Sequence, residues 1–123
     1  MQRDDLTGRV IGCCIEVHRA LGPGLLESTY QQCLARELAI QEVEFQLEVP
    51  LPVEYKGVHL DCGYRVDVVV EGELLLELKA VEEVLGIHQA QVLTYMKLSG
   101  MTTGLLINFN TEVLKNGIKR FRT

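Results

Sequence analysis

Hydrophobic and polar residues alternate most strictly over residues 64–79, where two apolar runs flank Glu71 and Gly72. This pattern predicts a β-hairpin, because successive side chains on a strand point to opposite faces. The apolar positions of both runs are even-numbered, and the charged positions are odd-numbered. Facing residues of an antiparallel pair share a face, so the two apolar sets meet only if the loop has an odd length. We therefore predict a three-residue loop, or a bulge with Gly72 at positive φ.

This register collects charge on one face of the predicted hairpin. Asp67, Glu77 and Lys79 are expected together there, because all three occupy odd-numbered positions. Two carboxylates and an ammonium are costly neighbours unless a bound divalent cation uses them. An ordinary solvated face is the alternative interpretation. The opposite, core-facing side is predicted to carry the even-numbered residues Val66, Val68, Val70, Leu74, Leu76 and Leu78.

Two helices are predicted before the hairpin and one after it. The first covers residues 5–21 and ends at Gly22, because glycine and the proline that follows it stop a helix. The second covers residues 25–40, and the third covers 88–99 and closes at Gly100. The inward positions of the first two helices, chosen by their spacing, are Val10, Cys14, Val17, Leu21, Leu26, Tyr30, Cys33, Leu34 and Leu38.

The remaining strands complete an α/β pattern. Residues 43–49 alternate as a half-buried strand does, and Pro50 and Pro52 confine that region to a sheet edge or a kink. Residues 53–60 form a predicted short hairpin. Residues 104–109 are apolar and predict a buried strand, parallel to its neighbour because a helix precedes it. The predicted order is ααββββαβ, a sheet covered by helices.

Length and composition suit a single domain over residues 1–123. The chain is 47% hydrophobic, which is enough for a sizeable core. No apolar run is long enough to span a bilayer and the N-terminus lacks a signal-peptide pattern, so we expect a cytoplasmic protein without a membrane partner. The four cysteines contain no CxxC pair and are predicted to be buried free thiols: Cys13, Cys14, Cys33 and Cys62.

The net charge of −5 argues against tight non-specific binding to duplex, because phosphate contacts need Lys and Arg. The one basic cluster covers residues 115–122, where Lys119, Arg120 and Arg122 are candidates to touch a nucleic-acid backbone. A solvated C-terminal tail is the interpretation we favour for this segment.

The hairpin also carries a chemical pattern, Asp67 followed by Glu77-Leu78-Lys79, which fits D…(D/E)xK. Phosphodiester hydrolysis needs an activated water and neutralisation of charge on the phosphate. Asp67, Glu77 and the carbonyl of Leu78 offer the oxygen ligands that Mg²⁺ prefers. Lys79 is placed to orient the water or to lower its pKa. The middle residue has to be apolar, because it points into the core.

Further motifs make this pattern specific. Gly24, Glu27 and Tyr30 match G-x-x-E-x-x-Y, and the segment before them contains His18. Residues 91–95 lie on the helix predicted to follow the ExK pattern. Together these residues resemble the family named for its GxxExxY motif, a RecB-like branch of the PD-(D/E)XK nuclease superfamily. The resemblance covers residues 10–121 approximately. It implies a restriction-endonuclease-like mixed β-sheet flanked by helices.

The resemblance assigns roles to the hairpin residues. Asp67 and Glu77 are similar to the metal-binding acids of the superfamily, and Lys79 is similar to its lysine. Position 66 is Val rather than the Pro of the superfamily's name, a departure at a position that is loosely kept.

The resemblance also assigns roles on the helices. Glu27 is similar to the helical glutamate that RecB-type nucleases add to the site. Gln91 and Tyr95 resemble the helix motif beside the active site, where the glutamine orients the lysine or the substrate. Tyr30 and His18 fit the family motif with open roles: Tyr30 packs against Glu27 or bonds to it, and His18 contacts the substrate region or is a satisfied buried histidine.

Three functions are consistent with these residues. The first is a nuclease that depends on Mg²⁺ (or Mn²⁺) and hydrolyses phosphodiester bonds in DNA or RNA. The second is a metal-binding regulatory or interaction module without catalysis, which the acidic charge and the small size favour. The third is a phosphohydrolase acting on a small nucleotide or another phosphoester. A homodimer joined at the exposed edge around residues 43–49 is a further hypothesis, because it would add surface for a substrate.

Overall fold

The computed structural model describes residues 3–123, with three α-helices, seven strands and a short 3₁₀ turn at Leu114–Gly117. The predicted α/β arrangement is confirmed, but the structure has two more strands than the predicted order: five rather than four lie between α2 and α3, and one is added at the C-terminal end. The elements are α1 (Arg3–Leu21), α2 (Glu27–Ile40), β1 (Phe45–Pro50), β2 (Val53–Tyr55), β3 (Val58–Leu60), β4 (Arg65–Val70), β5 (Leu74–Lys79), α3 (Gly86–Ser99), β6 (Thr103–Asn108) and β7 (Ile118–Arg122).

Five strands form one mixed sheet in the order β1-β4-β5-β6-β7. The pairing of β5 with β6 is parallel, because α3 carries the chain back across the sheet between them. The other neighbours are antiparallel, and β2 and β3 form a separate hairpin. This sheet flanked by helices has the restriction-endonuclease-like architecture that the resemblance implies. The strand that carries Pro50 lies at the sheet edge, as predicted.

The register of the β4–β5 hairpin confirms the prediction made from parity. Val70 pairs with Leu74, so the loop contains three residues and the position numbers of facing residues have an even sum. Glu71 and Gly72 both have positive φ, at 54° and 66°, and the amide of Glu73 donates to the carbonyl of Val70 at 3.0 Å. Even-numbered residues of β4 therefore face even-numbered residues of β5, and odd-numbered residues face odd-numbered ones.

Helices cover both faces of the sheet, so it separates two apolar cores. One core lies under α1 and α2 and contains the even-numbered Val68, Leu76 and Leu78. The other lies under α3 and contains Val69 and Leu75. On the face that the parity argument assigned to charged residues, the apolar Val69 and Leu75 pack in the α3 core and Glu77 is buried, whereas Asp67 and Lys79 are half-buried.

One irregularity changes the predicted face of a single valine. Between β1 and β4, the described ladder pairs Leu47 with Val68 and then Val49 with Val66, without the pair of Glu48 and Asp67 between them. Glu48 has φ +50°, the left-handed region, so β1 is kinked there. Val66 and Val49 consequently pack in the α3 core. The prediction that Val66 shares a face with the other even-numbered residues was wrong.

Three burial predictions, for Leu21, Leu26 and Cys62, were also wrong. Leu21 is exposed because it is the last residue of α1, and Leu26 is 73% exposed because it precedes the first turn of α2. Cys13 and Cys14 are buried as predicted, and Cys33 is half-buried. Cys62 is exposed, because it lies in the loop between β3 and β4. All four thiols are free.

The basic C-terminal segment is a strand rather than a solvated tail. β7 pairs with β6 along the sheet edge, and Phe121 is buried in the α3 core while Ile118 packs against the other core. One buried and one half-buried side chain in a short, mostly charged segment are too weak a pattern to predict a strand from sequence. Across residues 3–123, no helix has both the length and the apolar character needed to cross a membrane.

Substitutions at two glycines test how closely other atoms pack around the backbone at each position. A Cβ at Gly117 would overlap the carbonyl oxygen of Asn108, whereas a Cβ at Gly12 on α1 meets nothing within 4 Å. We expect Gly117→Ala to lower the free energy of unfolding by about 1–3 kcal/mol, because backbone atoms must shift. Gly12→Ala should raise it by about 0.5–1 kcal/mol, because alanine favours the helix. Urea unfolding followed by circular dichroism measures both, and equal effects of the two variants would contradict the described packing.

Candidate active site

Asp67 and Glu77 lie where the backbone pairing of β4 with β5 stops. The last backbone pair is Val68 with Leu76. Beyond it, Oδ2 of Asp67 accepts a hydrogen bond from the amide of Leu78 at 2.8 Å, and Oε1 of Glu77 accepts one from the amide of Asp67 at 3.4 Å. Carboxylates thus take the places that backbone carbonyls occupy in a regular ladder. The predicted pair of acids is brought together inside the sheet.

Burial makes ionisation of both acids unfavourable. Glu77 is only 3% exposed, and burial followed by the charge of Asp67 raises the pKa of Glu77 to about 8. Burial also raises the pKa of Asp67 to about 6, assisted by the charges of Glu48 and Glu27 and opposed by the bond from the Leu78 amide. At neutral pH the pair therefore retains a proton unless a cation is bound.

Lys79 is oriented by α3. Its Nζ donates to Oε1 of Gln91 at 3.3 Å, and Nε2 of Gln91 donates to the hydroxyl of Tyr95 at 3.1 Å. No ion pair between Lys79 and either acid is found in the described part of the chain, although its charge lowers the pKa of both Asp67 and Glu77. The structure thus connects the predicted lysine, glutamine and tyrosine in one chain of hydrogen bonds.

The GxxExxY segment forms the turn that presents Glu27. Gly22 and Gly24 have φ values of 72° and 99°, which glycine adopts without steric strain. The hydroxyl of Tyr30 donates to the carbonyl of Gly22 at 2.6 Å and accepts from the amide of Leu25 at 3.1 Å. Tyr30 therefore closes the loop that leads into the first turn of α2, where Glu27 begins the helix.

Tyr30 and His18 are both anchored to the segment that follows β6. The Tyr30 ring stacks on Phe109 with centroids 4.4 Å apart and planes 9° from parallel. Nε2 of His18 donates to the carbonyl of Thr111 at 2.7 Å. The tyrosine hydroxyl thus bonds to the loop backbone, and His18 is a buried histidine with its hydrogen bond satisfied.

A cleft of about 210 Å³ opens beside Asp67. Gln31, missed by the sequence analysis, donates from Nε2 to the carbonyl of Asp67 at 2.9 Å. Its signal was its position four residues after Glu27, on the same helix face. Glu48 was also missed, because its kinked backbone leaves no mark in the sequence. The cleft is lined by Glu27, Ser28, Gln31, Glu48, Asp67 and Leu78.

The donor set suits a hard divalent cation, although the side chains are not assembled around one. Among residues 5–123, no group of three His, Cys, Asp or Glu side chains is arranged to hold a metal ion. Carboxylate oxygens of Asp67 and Glu77 are nevertheless the ligands that Mg²⁺ and Mn²⁺ favour. A cation at this pair would offset the burial and the repulsion that raise both pKa values.

Glu77→Gln tests the electrostatic description. The folded state holds a proton that the unfolded chain releases near the ordinary pKa of 4.5, so the wild-type free energy of unfolding falls as pH rises from that value toward 8. Without divalent metal, Glu77→Gln should be more stable than wild type by roughly 2–4 kcal/mol at pH 8 and nearly equal at pH 4.5. Urea titrations with EDTA measure this, with the exposed Glu73→Gln as control. An unchanged pH dependence in Glu77→Gln would contradict the burial of its charge.

Tyr30→Phe tests the loop closure. Removing the hydroxyl leaves the Gly22 carbonyl and the Leu25 amide without their partner, so we expect a loss of about 1–2 kcal/mol in the free energy of unfolding. Tyr55→Phe is the matched control, because that side chain is 61% exposed. Chemical denaturation compares the two, and equal stabilities would show that the Tyr30 hydroxyl does not hold the loop.

Comparison with known proteins identifies the family. A family model described as the PD-(D/E)XK nuclease superfamily matches residues 4–121. No curated protein and no solved structure matches the chain significantly. Nucleases of this superfamily generally use divalent metal ions, and membership suggests a nuclease-type activity on nucleic acid. The chain belongs to the PD-(D/E)XK nuclease superfamily.

Proposed function

We propose that the protein is a nuclease that uses Mg²⁺ or Mn²⁺ to hydrolyse phosphodiester bonds in DNA or RNA. The observation that carries this proposal is the pair of the half-buried Asp67 and the buried Glu77, side by side with raised pKa values and with Lys79 on the strand of Glu77. We also propose that it belongs to the GxxExxY, RecB-like branch, on the basis of the loop that Gly24 and Tyr30 form before Glu27.

The acids supply the cation site in this proposal. Asp67 and Glu77 would hold the ion, with the carbonyl of Leu78 as a further oxygen and Glu27 approaching from α2. A bound divalent cation neutralises charge on the phosphate and lowers the pKa of a water. The Leu78 amide and the Gln31 side chain fix Asp67 for this purpose, since each bonds to a different part of that residue.

Lys79 supplies the positive charge. The Gln91 carbonyl oxygen holds its ammonium group, and the Tyr95 hydroxyl fixes Gln91 in turn. An ammonium held on the strand of Glu77 can orient the attacking water or stabilise negative charge that develops on the phosphate. Such preorganisation is effective in a site from which bulk water is partly excluded.

A phosphohydrolase acting on a small nucleotide or another phosphoester is the second candidate. The residues lining the cleft include three acids and no Lys or Arg, so the lining offers no positive charge to bind the phosphates of a duplex. The same acidic lining is consistent with a metal-binding interaction module without catalysis. A homodimer joined along the β1 edge would add surface for a longer nucleic acid, and we retain it as part of the first proposal.

A cleavage assay with charge-removing variants tests the proposed function. Single-stranded and duplex DNA and RNA are incubated with Mg²⁺ or Mn²⁺ and wild type, Asp67→Ala or Lys79→Ala. We expect each variant to lose a factor of about 10²–10⁴ in rate, because the ion site or the positioned ammonium is removed. The exposed Lys97→Ala on α3 and Glu73→Ala on the hairpin loop are controls that should retain the wild-type rate.

The outcomes separate the candidates. Wild-type cleavage that persists in both Asp67→Ala and Lys79→Ala would contradict the proposed site. Absence of wild-type cleavage, together with metal binding that Asp67→Ala abolishes, would favour the small phosphoester or the interaction module.

A further inference from the structure

The end of β6 carries a buried amide that no part of the proposed chemistry uses. Asn108 is 3% exposed, and its Nδ2 donates to the carbonyl of Val81 at 2.9 Å. Its Oδ1 accepts from the amide of Val81 at 3.1 Å and from the amide of Asn110 at 3.2 Å. The side chain thus bonds both backbone groups of Val81, as a neighbouring strand residue does in a ladder.

This contact lies directly beyond Lys79. Lys79 pairs with Asn108 in the parallel β5–β6 register, and the amide of Phe109 donates to the Lys79 carbonyl at 2.9 Å. Val81 follows two residues later, at the beginning of the loop that leads to α3 at Gly86. The Asn108 side chain therefore extends the pairing of β5 into a segment where strand pairing has ended.

The same segment also reaches the other half of the candidate site. Phe109 stacks on Tyr30, which closes the loop before Glu27, and Thr111 accepts from His18 on α1. The chain from Asn108 to Thr111 consequently contacts β5, which carries Lys79, and also α1 and α2, of which α2 carries Glu27. Of its contacts, the Phe109 amide bonds to Lys79 itself, and the two bonds from the Asn108 side chain to Val81 (the amide clip) lie two residues further along the chain.

We propose that Asn108 is a positioning residue of the candidate site: by holding Val81 it fixes the end of β5 and the start of the loop to α3, and so sets Lys79 against Gln91. The consequence for catalysis rests on the proposed function, whereas the placement of Lys79 does not. Asparagine suits this role because one short side chain offers both a donor and an acceptor. Alanine offers neither, and aspartate at neutral pH offers only acceptors.

The test that is independent of activity is the chemical reactivity of Lys79. The full chain is acetylated with an amine-reactive ester, and lysine labelling rates are read by mass spectrometry after proteolysis. In Asn108→Ala we expect the Lys79 rate to change by about threefold or more, because the strand end opens locally. Lys97 and Lys119 should keep their wild-type rates. Ile107→Val is the matched control, since it removes one methyl group from the adjacent buried residue and leaves the amide clip intact.

A second, more conservative substitution at Asn108 keeps the test decisive if Asn108→Ala fails to fold. Asn108→Ser keeps a small polar side chain and adds no charge at this buried position, but it is shorter than the amide that bonds to both backbone groups of Val81, so Lys79 labelling should change in the same direction by a smaller factor. A Lys79 rate that stays at the wild-type value in both variants would overturn the proposal. Equal changes at Lys79, Lys97 and Lys119 would overturn it as well, because they would show a general loss of stability.

Kinetics add a readout that stability alone does not move. If wild type cleaves nucleic acid, Asn108→Ala should lower kcat by about tenfold or more while KM stays within about twofold, because alignment rather than binding is lost. A rise in KM with unchanged kcat would contradict a positioning role. If wild type cleaves nothing, the proposed function fails, and the labelling experiment still decides the placement of Lys79.

Discussion

The structure depends on one hydrogen bond, in which the carboxylate of Asp67 accepts from the amide of Leu78 in the place of a backbone carbonyl. Backbone pairing between β4 and β5 ends one residue earlier, and Glu77 bonds back to the amide of Asp67. This exchange satisfies buried backbone donors, but it places two ionisable acids between two apolar cores. The resulting electrostatic strain is the feature that makes this end of the sheet chemically distinctive.

The rest of the fold supports that pair from several directions. Gln31 on α2 bonds to the Asp67 carbonyl, and Gln91 on α3 holds Lys79. Both sheet faces are covered by helices, so burial of the acids follows from the architecture rather than from one neighbouring side chain. Phe109, directly after β6, bonds through its amide to Lys79 and stacks on Tyr30, and so ties the lysine strand to the loop before Glu27. A change at any of these contacts acts on the acids or on the lysine beside them.

Local pattern was sufficient to predict the hairpin, because the parity of apolar positions permits only one kind of register. The D…ExK spacing and the GxxExxY motif likewise indicated residues that the fold brings together, such as Asp67 with Glu77. The kink at Glu48, which moves Val66 to the other core, depends on a positive φ at a residue type that rarely adopts it. Gln31 and Asn108 act through contacts 36 and 27 positions away, and no local pattern encodes such partners.

The most direct measurement is a calorimetric titration of the wild type with Mg²⁺ and Mn²⁺ at pH 7, repeated in buffers of different ionisation enthalpy. The proton that burial retains on the Asp67–Glu77 pair must leave when a cation takes its place. We expect binding accompanied by release of about one proton per ion, and loss of that binding in Asp67→Asn. Binding without proton release, or binding that Asp67→Asn leaves intact, would contradict a cation site at these two acids.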